Sequence, residues 1–187
     1  MGNEMINDAP GGRYYPDRQW INVFPGQDPF FQGKTYDDVF FRTMYFTLAY
    51  GMSPGMAVSM VERGAKYPGV FRDQDGNYLE GGKSYRLHLP PNVPAANFWS
   101  VTLYDALTAS GLDNGQPFPS LNSMDKPPAN ADGSFDLYFG PTAPAGKEKN
   151  WMRTVPEKGY FLLLRLYSPM QAFFDETWKP DDVEKMK

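Results

Sequence analysis

The chain is predicted to be mainly β: a jelly-roll β-sandwich preceded by a small helical hairpin. Three observations carry this. Gly and Pro contribute 18 residues each to a chain of 187, too many helix breakers for a bundle. Apolar residues make up 41% and aromatics 16%, enough to build a core and exclude disorder. From about residue 67 onward, short stretches alternate with a period of two between clusters of turn residues.

Residues 1–33 read as an irregular arm, polar and Gly/Pro-rich. It carries Tyr14, Tyr15, Trp20, Phe24, Phe30 and Phe31. Exposed aromatics are costly, so the arm is expected to pack on something. A second copy of the chain is one such partner, making a homo-oligomer through the arm an expectation. Residues 34–66 read as the helical hairpin. Thr35 and Asp38 make a capping-box-like start, and Phe40, Met44 and Leu48 follow at helical spacing before Gly51. Ser53 and Pro54 open a second helix with Met56, Met60 and Val61 on one face, closed by Gly64. Met44, Met52, Met56 and Met60 suit packing of this hairpin against the sandwich.

Residues 67–187 form the predicted sandwich. Asp73-Gln74-Asp75-Gly76-Asn77 is turn chemistry. In residues 84–89, Tyr85, Leu87 and Leu89 alternate with Arg86 and His88, and Pro90-Pro91-Asn92 ends the strand. In residues 98–104, Phe98, Ser100, Thr102 and Tyr104 alternate with Trp99, Val101 and Leu103. Residues 109–134 are a long loop, expected to be pinned by Phe118. Asp132-Gly133 turns the chain into a strand over 135–139. Residues 160–167 make the most apolar strand, expected at the centre of a sheet. Ser168-Pro169 starts a short helix or turn, and Asn150-Trp151 and Trp178 are expected to anchor loops to the core.

Composition excludes several functions. Net charge is −4, with no basic stripe for nucleic acid and nothing favouring anionic membranes. No Cys is present, and His88 is the one histidine. Thiolate chemistry and multi-histidine metal sites are therefore ruled out. The apolar run at 160–166 is too short to span a bilayer. No signal-peptide pattern opens the sequence, and a periplasmic or secreted location is expected if the chain derives from a longer precursor. No cofactor is expected.

Each candidate site has a competing plain explanation. Gly51-Met52-Ser53-Pro54-Gly55 matches the nucleophile-elbow pattern, but Pro54 has no N–H for an oxyanion hole, so Ser53 reads as a helix cap. Asp73, Asp75 and Asn77 resemble part of a Ca²⁺ loop, yet Gly76 stands at the wrong position, and a plain turn is preferred. Arg165 lies in an apolar strand and needs a partner. Asp105 and Asp136 are the available carboxylates, and a structural Arg165–Asp105 ion pair is preferred over anion binding. If strands 84–89 and 98–104 pair, one face collects Arg86, His88, Ser100, Thr102 and Tyr104. That set offers a cation, an imidazole, hydroxyls and an aromatic ring, suited to a polyol or glycan, although the plain explanation, the solvated face of a half-buried sheet, is preferred.

Several segments then carry a family resemblance: 97–105 (Asn-Phe-Trp-Ser-Val-Thr-Leu-Tyr-Asp), 130–134 (Asn-Ala-Asp-Gly-Ser), Asn150-Trp151, 164–167 (Leu-Arg-Leu-Tyr) and Trp178-Lys179-Pro180. In this order they resemble the DUF1214 family of bacterial proteins of unknown function. The resemblance covers residues 67–187 and implies the jelly roll but no reaction. In longer relatives such a domain follows a DUF1254 domain, so the resemblance implies a shortened chain. Residues 120–128 and 152–155 depart from the family pattern. The resulting expectation is a non-catalytic module binding a small polar ligand or glycan, or serving assembly. The alternative is a glycan-active hydrolase using Asp105 and Asp136 as its carboxylate pair, which needs the two about 5–9.5 Å apart.

Overall fold

The structure is a computed structural model that describes residues 12–22, 32, 35–37, 39, 43 and 59–187. Within them ten strands form two sheets. The strands are β1 (Ile21–Asn22), β2 (Ala65–Lys66), β3 (Pro68–Val70), β4 (Tyr85–Leu89) and β5 (Ala95–Asp105). After these come β6 (Ser120–Asn122), β7 (Phe135–Gly140), β8 (Trp151–Arg153), β9 (Tyr160–Pro169) and β10 (Glu184–Lys185). The larger sheet runs β1-β3-β9-β5-β6, with β2 also paired to β9. The smaller runs β10-β4-β7-β8, and its β7–β8 pair is parallel. One short helix, α1 (Gln171–Phe174), follows β9.

Alternation decides which side chains fill the space between the sheets. On β4, Tyr85, Leu87 and Leu89 are fully buried, while Arg86 and His88 are half-buried on the outer side. Val101 and Leu103 of β5 and Leu162, Leu164 and Leu166 of β9 meet them from the larger sheet. Trp99 crosses the gap edge-on to Phe135, ring centroids 5.1 Å apart. β9 lies between β3 and β5, at the sheet centre, as its apolar run predicts.

The predicted turns are present. Asp73 Oδ1 accepts the backbone N–H groups of Asp75 and Asn77, and Gly76 takes a positive φ of 82° that suits glycine. Gly133 does the same at 85° before β7. Asn150 donates to the carbonyls of Pro128 and Asp136. Trp151 donates to Gly140 and Trp178 to Pro90, so these residues do fasten loops.

Other expectations change. Tyr15, Trp20 and Ile21 of the arm are buried in the core of their own chain, and β1 pairs with β3. In this part of the arm, these apolar side chains are already covered. The helical hairpin over 34–66 lies mostly outside the described residues, as do Ser53 and its surrounding glycines, Met44, Met52 and Met56. Of its described end, Met60 and Arg63 form a bridge and residues 65–66 are strand β2. Phe118 pins nothing, being 78% exposed. The 109–134 stretch is held instead by β6 pairing with β5, by Leu112 in the core and by Asn114 on the Arg153 carbonyl. The tail is tied down by β10 against β4. No helix among the described residues is long and apolar enough to cross a membrane.

Candidate functional site

The outer face of the smaller sheet gathers polar chemistry from three strands. Antiparallel register sets His88 of β4 directly opposite Asp136 of β7. Their side chains meet, with Nδ1 2.8 Å from Oδ1. Asn130 donates to the other carboxylate oxygen at 3.1 Å. Burial works to raise the Asp136 pKa. The hydrogen bonds from His88 and Asn130 and the neighbouring cationic charge outweigh it, and the carboxyl lies below its ordinary range. An ionised carboxylate only accepts, so the proton of this bond sits on Nδ1 and Nε2 is left for another partner.

One step along β4, Arg86 Nη2 lies 2.6 Å from Glu184 Oε2 of β10. Arg86, His88 and Glu184 border a cleft of about 220 Å³, closed on its other sides by Arg18, Gln74, Asp181 and Asp182. The chain ends build that rim together. The Gln19 amide donates to Asp182 Oδ1 at 2.7 Å and the Trp20 indole to the Asp181 carbonyl at 2.9 Å. Burial pushes the Asp182 carboxyl up, against the pull of the Gln19 amide and Arg18. A second hollow of about 230 Å³ lies on the other side of the dyad, between Asn130, Asp136, Lys147 and Asn150.

The five residues expected on one face are divided. β4 and β5 are not neighbours: β4 pairs with β10 and β7, β5 with β9 and β6. Arg86 and His88 share the cleft. Ser100, Thr102 and Tyr104 lie on β5 in the other sheet. The sequence pattern shows which residues alternate but not which strands meet.

The expected Arg165–Asp105 pair does not form. Arg165 sits opposite Ser100 in the ladder and donates to Thr102 Oγ1 at 3.0 Å and to the Tyr104 hydroxyl. Asp105 ends β5 and takes Lys158 Nζ at 2.9 Å, together with the backbone N–H groups of Leu107 and Thr108. The Lys158 hydrogen bond leads the causes that hold the Asp105 carboxyl below its ordinary range. A lowered folded-state pKa means that ionised Asp105 favours the fold above the unfolded value, about 3.9. That contribution fades as pH falls through the folded-state value. Denaturant unfolding should show Asp105→Asn less stable than wild type at pH 6, with the gap narrowing toward pH 2.5.

Asp105 and Asp136 are not brought together. Phe135, beside Asp136, touches Trp99, and Asp105 lies six residues further along β5. At the rise of a strand that is roughly 20 Å, outside the window for glycoside hydrolysis. Asp73 is committed to its turn. No metal-holding group of three or more acidic or imidazole residues exists among the described residues. Asp181, Asp182 and Glu184 escaped sequence reasoning, since nothing local ties the tail to β4. The Asp136–His88 contact had a signal in the alternation of residues 135–139.

A family model described as a protein of unknown function (DUF1214) matches residues 64–171. Among solved structures, the chain is similar to the VPA0106 protein from Vibrio parahaemolyticus. Identity is 22% and the TM-score 0.59, over 79% of this chain and 35% of that one. It is also similar to an uncharacterized protein from Burkholderia cenocepacia, with 18% identity and a TM-score of 0.49, over 73% of this chain and 30% of the other. The chain thus spans about a third of the length of these two proteins. No curated protein matches it.

Proposed function

The chain belongs to the DUF1214 family, and from that premise we propose that it is a non-catalytic binding module whose Arg86–His88 cleft takes a small neutral polyol or sugar. The two stacked sheets are read here as a jelly-roll-type sandwich, an architecture that hosts lectins as well as enzymes. Fold is therefore no argument for function, and the cleft must supply it.

The observation that carries the reading is the mixed lining of that cleft. Arg18 and Arg86 only donate, Asp181, Asp182 and Glu184 mainly accept, His88 offers Nε2 as an acceptor, and Gln74 does both. A sugar hydroxyl donates and accepts at once, so such a lining satisfies a vicinal diol without leaving a net charge to neutralise. A strongly anionic ligand meets three carboxylates there, and a cationic one meets two guanidiniums. Asp136 fixes the His88 ring, so the imidazole is oriented in advance and ordering it costs a ligand little.

A glycan array followed by calorimetry on the best hit tests this. Wild type should bind with an affinity on the order of millimolar to micromolar, without turning over cleavable glycosides. His88→Ala and Gln74→Ala should each weaken binding about tenfold. Turnover of a glycoside, or binding untouched by both substitutions, would refute the reading.

A further inference from the structure

The outer face of the larger sheet holds a cation, Arg165, for which the described residues supply no counter-charge. Among the described residues, no carboxylate lies within ion-pair distance of Arg165. Its described hydrogen bonds go to two neutral hydroxyls, Thr102 and Tyr104, and its guanidinium lies 5.5 Å from the Tyr104 ring centroid. A guanidinium has more N–H donors than these two bonds use. Half-buried charges are normally paired, because desolvation is costly without a partner.

The neighbouring hydroxyls are turned into donors by the same contacts. Tyr104 accepts from Arg165, so its own proton is available. Thr102 accepts from Arg165 and donates to Ser120 Oγ at 3.1 Å, which leaves the Ser120 proton available. Ser100 stands directly opposite Arg165 in the ladder and is 5% exposed. Its hydroxyl makes no hydrogen bond among the described residues. The surroundings are apolar and aromatic: Phe161 stacks on Tyr104 at 5.2 Å, and Phe98 on Tyr167 at 4.1 Å. Burial pushes the nearby Tyr67 hydroxyl up to about 12, with Tyr167, Arg165 and Tyr104 close enough to act on it. In so dry a setting a charge-assisted hydrogen bond is strong.

We propose that Arg165, with the hydroxyls of Ser100, Tyr104 and Ser120, forms a binding site for a small oxyanion, a carboxylate or a phosphate, on the outer face of the larger sheet. The site is independent of the Arg86–His88 cleft and faces away from it across the sandwich. Its donors all point to one class of ligand: a positive centre and hydroxyl protons, with no competing carboxylate among the described residues, reject cations and select an anion with several acceptor oxygens.

The test is a pair of titrations of the full chain with sodium acetate and with inorganic phosphate, at constant ionic strength set by sodium chloride. Magnetic resonance of the nitrogen-labelled guanidinium of Arg165 and of the Tyr104 ring is the readout. A saturable shift with acetate assigns the carboxylate class, and one with phosphate assigns the phosphate class; either supports the site. Arg165→Lys should weaken it several-fold and Arg165→Met at least about tenfold. Backbone spectra of the Arg86–His88 face serve as the check that each variant is folded. Wild type alone already decides the matter. A drift with both anions no different from chloride would overturn the proposal, as would saturation undiminished in a folded Arg165→Met chain.

Discussion

Gly81→Ala is expected to destabilise the fold by about 3 kcal/mol, the largest effect of any small substitution considered. A Cβ at Gly81 would stand 1.9 Å from the Val155 carbonyl oxygen and 2.7 Å from its carbon. Neither is the movable end of a side chain. Both strands of this contact are also tied by hydrogen bonds, from the Gly81 amide to the Lys158 carbonyl at 2.8 Å and from Thr154 Oγ1 to the Gly81 carbonyl at 2.6 Å. The segment leading into β4 is thereby clamped on the segment leading into β9, one in each sheet. Relieving the clash means parting them. Gly82 is the internal control, since a Cβ there meets nothing within 4 Å, and Gly82→Ala should change stability by less than about 0.5 kcal/mol. Denaturant melts of the two variants side by side measure the difference.

The second large effect is expected at Trp99. Trp99→Ala should cost about 3–5 kcal/mol, as removal of a buried aromatic leaves a cavity that its surroundings fill only in part. Trp99 is 5% exposed and reaches Phe135 from the opposite sheet, so the loss falls on the contact that joins the layers. Leu107, 95% exposed, is the matching surface leucine, and Leu107→Ala should leave the unfolding midpoint where it is. Equal midpoints for Trp99→Ala and wild type would contradict the two-layer core.

Local features of the fold were legible in the sequence because local physics sets them. The alternation of Tyr85, Leu87 and Leu89 with Arg86 and His88 survives in the structure side chain by side chain. So do the Asp73–Asn77 turn and the buried run of β9. Partner choice was not legible. Residues 90–94 carry the chain from the smaller sheet to the larger, with Asn92 at a positive φ of 60°. Two strands adjacent in sequence thus end up in different layers. Nothing in their own alternation records the crossing, since a strand looks the same whichever neighbour completes it.

The same limit explains the candidate site. Residue types were readable as polar and outward-facing, and His88 and Arg86 both border the cleft. Its remaining walls come from Arg18 and from Asp181, Asp182 and Glu184, more than 60 residues away along the chain in either direction. Arg165 was misassigned for a related reason. A carboxylate partner was expected from its apolar strand, but the register placed Ser100 opposite it and gave Asp105 to Lys158.

The central claim is that the Arg86–His88 cleft binds a neutral, hydroxyl-rich ligand. The most direct measurement is a crystal structure of the chain soaked in the best-binding saccharide from the array. Density for the sugar in that cleft, hydrogen-bonded to Arg86 and His88 Nε2 with its glycosidic bond intact, is the predicted result. Density seated elsewhere on the surface, or a cleft filled by water alone at saturating sugar, would contradict it.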